Sequence, residues 1–230
     1  MTTIQSSNTE SPEERSLNAV FDCLASSDRR RVLGILDEQA PNSLSRRELA
    51  TRLVSSGRSD TAESDRDVQE ASRVLYHTHL PKLEAAKLIV NDTDGKRIAI
   101  TDHPAFDDER ISAVIRSDSD TTSDSLAELF RALADGRRRT ILDVLSHQLT
   151  PIYTDTLARE LGAKEQGIAE AEVPADTVDE ILVQLTHVHL PKLADTGLVE
   201  YDSGEQTVAY AGHPQLSGPW IHSMFQPEFR

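Results

Sequence analysis

Aromatic residues make up only 4% of this 230-residue chain, and Cys23 is its single cysteine. The first shortage means that any core must be built from Leu, Ile, Val and Ala. The second excludes an internal disulfide and a cysteine metal cluster, and it fits a reducing compartment. No run of 18 apolar residues occurs, and Met1–Arg15 lacks an apolar stretch, so neither a membrane span nor a signal peptide is expected. The expectation is a cytoplasmic protein with no membrane partner. The chain also lacks a glycine-rich phosphate loop, a nucleophile elbow and carboxylates at metal-ligand spacing. No catalytic residue, cofactor or metal is therefore expected.

Lysine is scarce too: 5 Lys and 19 Arg stand against 21 Asp and 18 Glu, for a net charge of −15. Such an excess of carboxylates argues at first against a polyanionic partner. The same pattern suits a salt-loaded cytoplasm. Near 1 M salt the Debye length falls to about 3 Å and long-range repulsion largely disappears. Equal stability in dilute buffer and in molar KCl would refute the salt reading.

What the chain does contain is one long motif written twice. Leu75-Tyr-His-Thr-His-Leu-Pro-Lys-Leu83 returns as Leu185-Thr-His-Val-His-Leu-Pro-Lys-Leu193, an offset of 110. Phe21-Asp-Cys-Leu-Ala-Ser-Ser-Asp-Arg-Arg-Arg-Val-Leu33 returns as Phe130-Arg-Ala-Leu-Ala-Asp-Gly-Arg-Arg-Arg-Thr-Ile-Leu142, an offset of 109. His103-Pro104 returns as His213-Pro214. A period this long marks a duplicated domain rather than a solenoid unit.

Each copy reads as about four helices and a terminal β-hairpin. In copy one, helices are expected over Leu17–Ala25, capped by Ser16, and over Asp28–Glu38. A third opens at the Ser45-Arg-Arg-Glu48 capping box, and a fourth runs from Asp67 to Lys87. On the fourth, Val68, Ala71, Leu75, His79, Leu83 and Ala86 form one stripe. Leu88–Asp92 and Lys96–Thr101 alternate as a hairpin does. Copy two repeats the order, with Gly197 where a helix end favours a left-handed residue.

The expected organisation is a disordered tail over 1–15, domain one over 16–104 and a short helix plus polar linker over 105–125. Domain two follows over 126–214, then an aromatic tail over 215–230 with Trp220, Phe225 and Phe229. That tail either packs on the preceding domain or docks a partner.

The string His-Leu-x-x-Leu, followed after four residues by Leu-Ile or Leu-Val and a charged hairpin, resembles the recognition helix and wing of ArsR-like winged-helix regulators. Ala134-Asp-Gly-Arg-Arg-Arg-Thr-Ile-Leu142 is similar to their second helix. The His-Leu-Pro-Lys-Leu block looks like a haloarchaeal branch of that superfamily. The resemblance covers nearly all of both repeats. It implies two tandem winged helix-turn-helix domains (mainly α, α+β), binding to double-stranded DNA, transcriptional regulation and frequent homodimers. The cysteine ligands of metal-sensing members are missing here.

On the fourth helix Arg66, Arg73 and His77 fall opposite Leu75, with Gln69 and Glu70 on the border. Arg can grip guanine or phosphate with two hydrogen bonds, and Gln can read adenine. Lys96 and Arg97 at the hairpin tip extend the surface. The Arg29-Arg30-Arg31 run offers further cations, with Arg30 a candidate DNA contact. Cations in a first helical turn oppose its dipole, however, so part of that run should serve acidic neighbours. The alternative for the whole face is an ordinary solvated surface.

Copy two inverts this chemistry: Arg66, Gln69 and Arg73 become Asp176, Asp179 and Val183, Glu70 stays acidic as Glu180, and the tip carries Glu205 and Gln206. Leu17–Pro104 holds 13 basic and 14 acidic residues, whereas Leu126–Pro214 holds 7 and 15. Copy two is therefore expected to serve dimerisation or a protein partner, or only to pack. A protein–protein adaptor that never touches DNA is the rival for the whole chain.

Pro81 and Pro191 interrupt the fourth helices, removing a donor from the carbonyls of His77 and His187, at a cost of order 3 kcal/mol. A kink is expected, or a short loop between two helices. The His-x-His pairs cannot share one ion on a helix, where rings two residues apart diverge. His79 and His189 should be hydrogen-bonded core residues, and His77 and His187 should face outward.

Overall fold

The structure is a computed structural model and describes residues 12–56, 65–92, 96–116 and 123–212. Expectations for most of the N-terminal tail, the first hairpin's tip at 93–95, the linker at 117–122 and the C-terminal aromatic tail lie outside these residues. The chain forms two compact units: one is Arg15–Ala134, and the other begins at Asp135 and also takes in Glu14. The helix that opens the second repeat thus belongs to the first unit.

The first helix is α1 (Pro12–Leu24), which belongs to the first unit from Arg15 onward. It starts four residues ahead of the expected Ser16 cap, because Pro12 pre-sets the backbone at a helix start. Next come α2 (Ser27–Gln39), α3 (Arg46–Ser56) and α4 (Asp65–Val74). The capping box forms as read: Ser45 Oγ accepts from Glu48 N at 3.3 Å, and Ser45 N donates to Glu48 Oε2 at 2.8 Å. After α4 the chain makes a π-turn, Leu75–His79, and continues as α5 (Leu80–Ala85).

The π-turn answers the proline question. Leu80 N donates to Leu75 O, five residues back, so the ladder shifts by one just before Pro81. The helix neither breaks nor becomes a loop; it widens for one turn and resumes. Leu185–His189 repeats the same turn before Pro191, with Leu190 N donating to Leu185 O.

Strands β1 (Ile89–Asn91) and β2 (Ile98–Ile100) pair antiparallel, Val90 opposite Ala99. Leu44 adds a single bridge to Ile98. Beyond them α6 (Glu109–Arg116) docks on α2 through the buried Ile111 and Ile115. Gly34 allows this approach, since a Cβ there would stand 2.7 Å from the Ile115 carbonyl oxygen. The unit closes with α7 (Ser123–Leu133). Phe21 of α1 and Phe130 of α7 stack at 6.1 Å between ring centroids, both fully buried. These residues occupy equivalent places in the two repeats.

The second unit repeats the order with α8 (Gly136–Ser146), α9 (Thr154–Gln166), α10 (Ala175–Gln184), its π-turn and α11 (Leu190–Asp195). A strand not foreseen from the pattern, β3 (Ile152–Tyr153), pairs with β5 (Thr207–Tyr210), which pairs with β4 (Val199–Asp202). It corresponds to the lone bridge at Leu44. Two residues are too few to show an alternating signal.

Both cores are aliphatic, as the shortage of aromatics requires. Leu33, Leu49, Leu75, Leu83 and Leu88 are fully buried in one unit, and Leu142, Leu157, Leu185, Leu193 and Leu198 in the other.

Candidate nucleic-acid interface

The exposed side of α4 carries Arg66, Gln69, Glu70 and Arg73, and the π-turn continues it with Tyr76 and His77, all solvent-exposed. Four of the candidate residues therefore share one face. Arg73 reaches back to Glu70: its Nε donates to Glu70 Oε2 at 3.0 Å, and a terminal nitrogen donates to Oε1. This pairing holds the Glu70 carboxyl below the usual carboxylate range and the Arg73 guanidinium above its own. The Arg73 side chain is 64% exposed, so water competes for the pair and exchanging it for another anion costs little.

Three residues that pattern reasoning passed over adjoin this face. Arg46, in the first turn of α3, lies over the Tyr76 ring at 4.8 Å, and Tyr76 meets His77 edge-on at 4.8 Å. Arg47 reaches Asp65 at the start of α4 at 3.3 Å. A groove lined by Ser45, Arg46, Arg47, Asp65, Val68 and Gln69 runs between the two helices. The signal for Arg46 and Arg47 was present in the sequence: paired cations in a first helical turn, against the dipole, need a reason. Tyr76 follows the buried Leu75 and so had to point away from the core.

At the hairpin, Lys96 and Arg97 are exposed. Their backbone N–H groups donate to Asp92 Oδ1 at 2.7 and 3.2 Å, which engages that carboxylate with the turn.

Arg30 is a correction. It is buried, and its guanidinium donates to Leu24 O at 2.6 Å. Its neighbour Arg29 donates to Cys23 O at 3.0 Å and to Asp22 O. These two guanidiniums supply donors to the last carbonyls of α1, where Cys23 O also accepts from Ser26 N at 3.3 Å. Burial lowers the Arg30 pKa, and Arg131 nearby adds to that. Arg31 ties α2 to α3 through Ser56 Oγ at 3.0 Å. The arginine run serves the fold. The Cys23 thiol is buried beside it and pushed up to about 11, which keeps it protonated and unreactive at neutral pH.

The two central histidines need a second correction. His79 and His189 are buried as expected, but Nδ1 of each has no hydrogen-bond partner among the described residues. Their nearest acids stand off: Asp28 at 3.7 Å from His79 Nε2, and Asp135 at 4.0 Å from His189 Nδ1. Burial lowers both pKa values, with the nearby acid opposing it in each case. His77 and His187 face outward.

Copy two presents the same surface with other chemistry. Asp176, Asp179 and Glu180 are exposed on α10, and Val183, in Arg73's place, is 59% exposed. Leu182, Val183, Thr186, Pro191 and Tyr201 line an apolar groove between this helix and the hairpin. At the hairpin tip, Asp202 Oδ1 accepts from the N–H groups of Gly204 and Glu205 at 2.8 and 2.9 Å, as Asp92 does in copy one.

One family description, a domain of unknown function (DUF7344), matches this chain twice, over residues 21–99 and 130–209. The chain belongs to the DUF7344 family. No curated protein and no solved structure matches it. Both DUF7344 stretches begin at the stacked phenylalanines and end in the second hairpin strand, so each spans the paired helices, the π-turn and the hairpin. The chemistry of the exposed face differs between the two copies, and the family description carries no function for it.

Proposed function

We propose that this chain is a DNA-binding transcriptional regulator built from two winged helix-turn-helix domains related to the ArsR-like regulators. Copy one reads double-stranded DNA, and copy two makes a dimer or partner contact. In this reading α3 and α4 form the helix-turn-helix, α4 enters the major groove, and the β1–β2 hairpin is the wing. Arg66, Gln69, Arg73 and His77 address base edges and nearby phosphates; Lys96 and Arg97 reach the flanking backbone.

The observation that carries the reading is the contrast between the copies on one fold. Copy one sets exposed arginines and an Arg46–Tyr76–His77 series, the guanidinium over the ring and the imidazole edge-on to it, on the face where copy two sets carboxylates and valine. The net charge of −15 is tolerable because groove contacts are local and salt screens the remainder. A homodimer of this chain would carry two reading heads and prefer half-sites one or two helical turns apart.

Genomic footprinting in the native organism, at native salt, supplies the sequence read. On that sequence Arg73→Ala should weaken binding roughly 5- to 150-fold. Arg30→Ala should leave the affinity of the folded protein unchanged. Equal affinity of Arg73→Ala and parent would remove Arg73 from the interface.

The apolar groove and acidic rim of copy two favour a second reading, a protein–protein adaptor. It predicts no footprint and a stable complex lost on Val183→Glu.

A further inference from the structure

The junction of the second, third and fourth helices is filled differently in the two copies. In copy two the side chain of Arg137, at the start of α8, occupies it and is only 12% exposed. Two of its nitrogens donate to the Glu165 carboxylate of α9 at 2.7 and 2.9 Å, and a third donates to Gln184 Oε1 of α10. One guanidinium thus joins three helices. The equivalent position in copy one is Asp28. There the junction is an open cavity of about 360 Å³, walled by Asp28, Arg31, Val54, Glu70, Val74 and His79 among others.

That wall suits a cation. Asp28 brings a carboxylate where copy two brings a guanidinium, and Glu70 brings another. His79 is 8% exposed, with Nδ1 unpartnered among the described residues and Nε2 3.7 Å from Asp28 Oδ2, too far for a hydrogen bond. Arg31 also lines the cavity and keeps its charge, its guanidinium being held by the neutral Ser56 Oγ and Leu53 carbonyl, but the carboxylates of Asp28, Asp67 and Glu70 outnumber it. Leu53, Val54, Val74 and Leu75 supply apolar surface. Polar groups at one side of an apolar recess are the usual make-up of a small-molecule site.

We propose that this cavity binds a small organic cation, an ammonium or guanidinium on a short apolar body. Its charge lies against Asp28 and Glu70, in the place that Arg137 fills in copy two. Glu70 is also the partner of Arg73, so a ligand that draws Glu70 inward releases Arg73 for another anion. This effector role rests on the DNA-binding reading; the binding itself does not.

The test uses butylguanidinium as probe, titrated into the full-length protein in molar KCl and followed by amide NMR. Butanol and butyrate serve as neutral and anionic controls. Saturable shifts are expected at Asp28, Val54, Val74 and His79 with the cation alone. Asp28→Arg, which imports the guanidinium of copy two, should abolish them. Glu70→Gln, a milder change, should weaken binding about tenfold through loss of one charge-assisted contact. No saturable shift, an equal response to butanol, or unchanged binding by both variants overturns the proposal. Repeating the titration on the footprinted DNA separates the two claims. Probe binding without DNA binding keeps the pocket and removes the regulator; DNA binding without a probe response does the reverse.

Discussion

Replacing Lys87 by glycine should make the first unit more stable. Helix α5 ends in a six-to-one and five-to-two pair of hydrogen bonds: Leu88 N donates to Leu83 O at 3.0 Å and Lys87 N to Glu84 O at 2.9 Å. The motif puts Lys87 at φ 59°, in the left-handed region. An L-residue pays about 1–2 kcal/mol there, and glycine gives back about 0.5–1 kcal/mol through its freer unfolded chain. The net gain for Lys87→Gly is then about 0.5–1 kcal/mol, or about 2–4 °C in the unfolding midpoint. Copy two holds the control. Gly197 sits at φ 70° in the same motif, with Leu198 N donating to Leu193 O at 3.0 Å, and a Cβ there would meet nothing within 4 Å. Gly197→Ala should therefore cost about 1 kcal/mol from backbone strain alone. The Lys87 ammonium also helps burial to hold the His103 pKa down, so Lys87→Ala is needed to separate charge from conformation. Guanidinium unfolding followed by circular dichroism measures all three. If Lys87→Gly gains no more than Lys87→Ala, the strain argument is wrong.

Arg30→Ala should lose about 2 kcal/mol, because it leaves the buried Leu24 carbonyl without its charged donor; a loss within error would return Arg30 to the surface. Gly34→Ala drives a Cβ against the Ile115 carbonyl and should cost about 1–3 kcal/mol. Hydrogen exchange should then rise across Glu109–Arg116 before it rises in α2. The buried His79 and His189 and the half-buried His103 have pKa values below the ordinary 6.5. The folded state thus binds fewer protons than the unfolded one below that value, and stability should fall as pH drops from about 7 to 5.5. His79→Asn should shallow that slope, and an unchanged slope would remove His79 from the cause.

The parts visible in the sequence were those carried by period and spacing. The duplication, the capping box, the leucine stripe of the fourth helix and the hairpin all follow from residues near one another in the chain. What escaped depends on partners distant in sequence or on geometry without a pattern. Arg30 looked like a surface cation because only the fold brings the end of α1 against its guanidinium. Pro81 suggested a kink or a short loop; there is no loop, and a one-residue widening of the helix ladder carries the helix through the proline. Tyr76 and Arg46 meet across two helices, so neither position singles out the other. His79 showed its buried place through the stripe, whereas the missing partner at Nδ1 could appear only in three dimensions.

The stacked pair Phe21–Phe130 has a consequence for how such a chain can change. In an assembly of identical subunits, every substitution is made in both halves at once. Here the opening helices of the two repeats meet on a single polypeptide, so one half can be altered while its counterpart stays as it was. That liberty is what lets arginine persist on one side where valine has taken hold on the other.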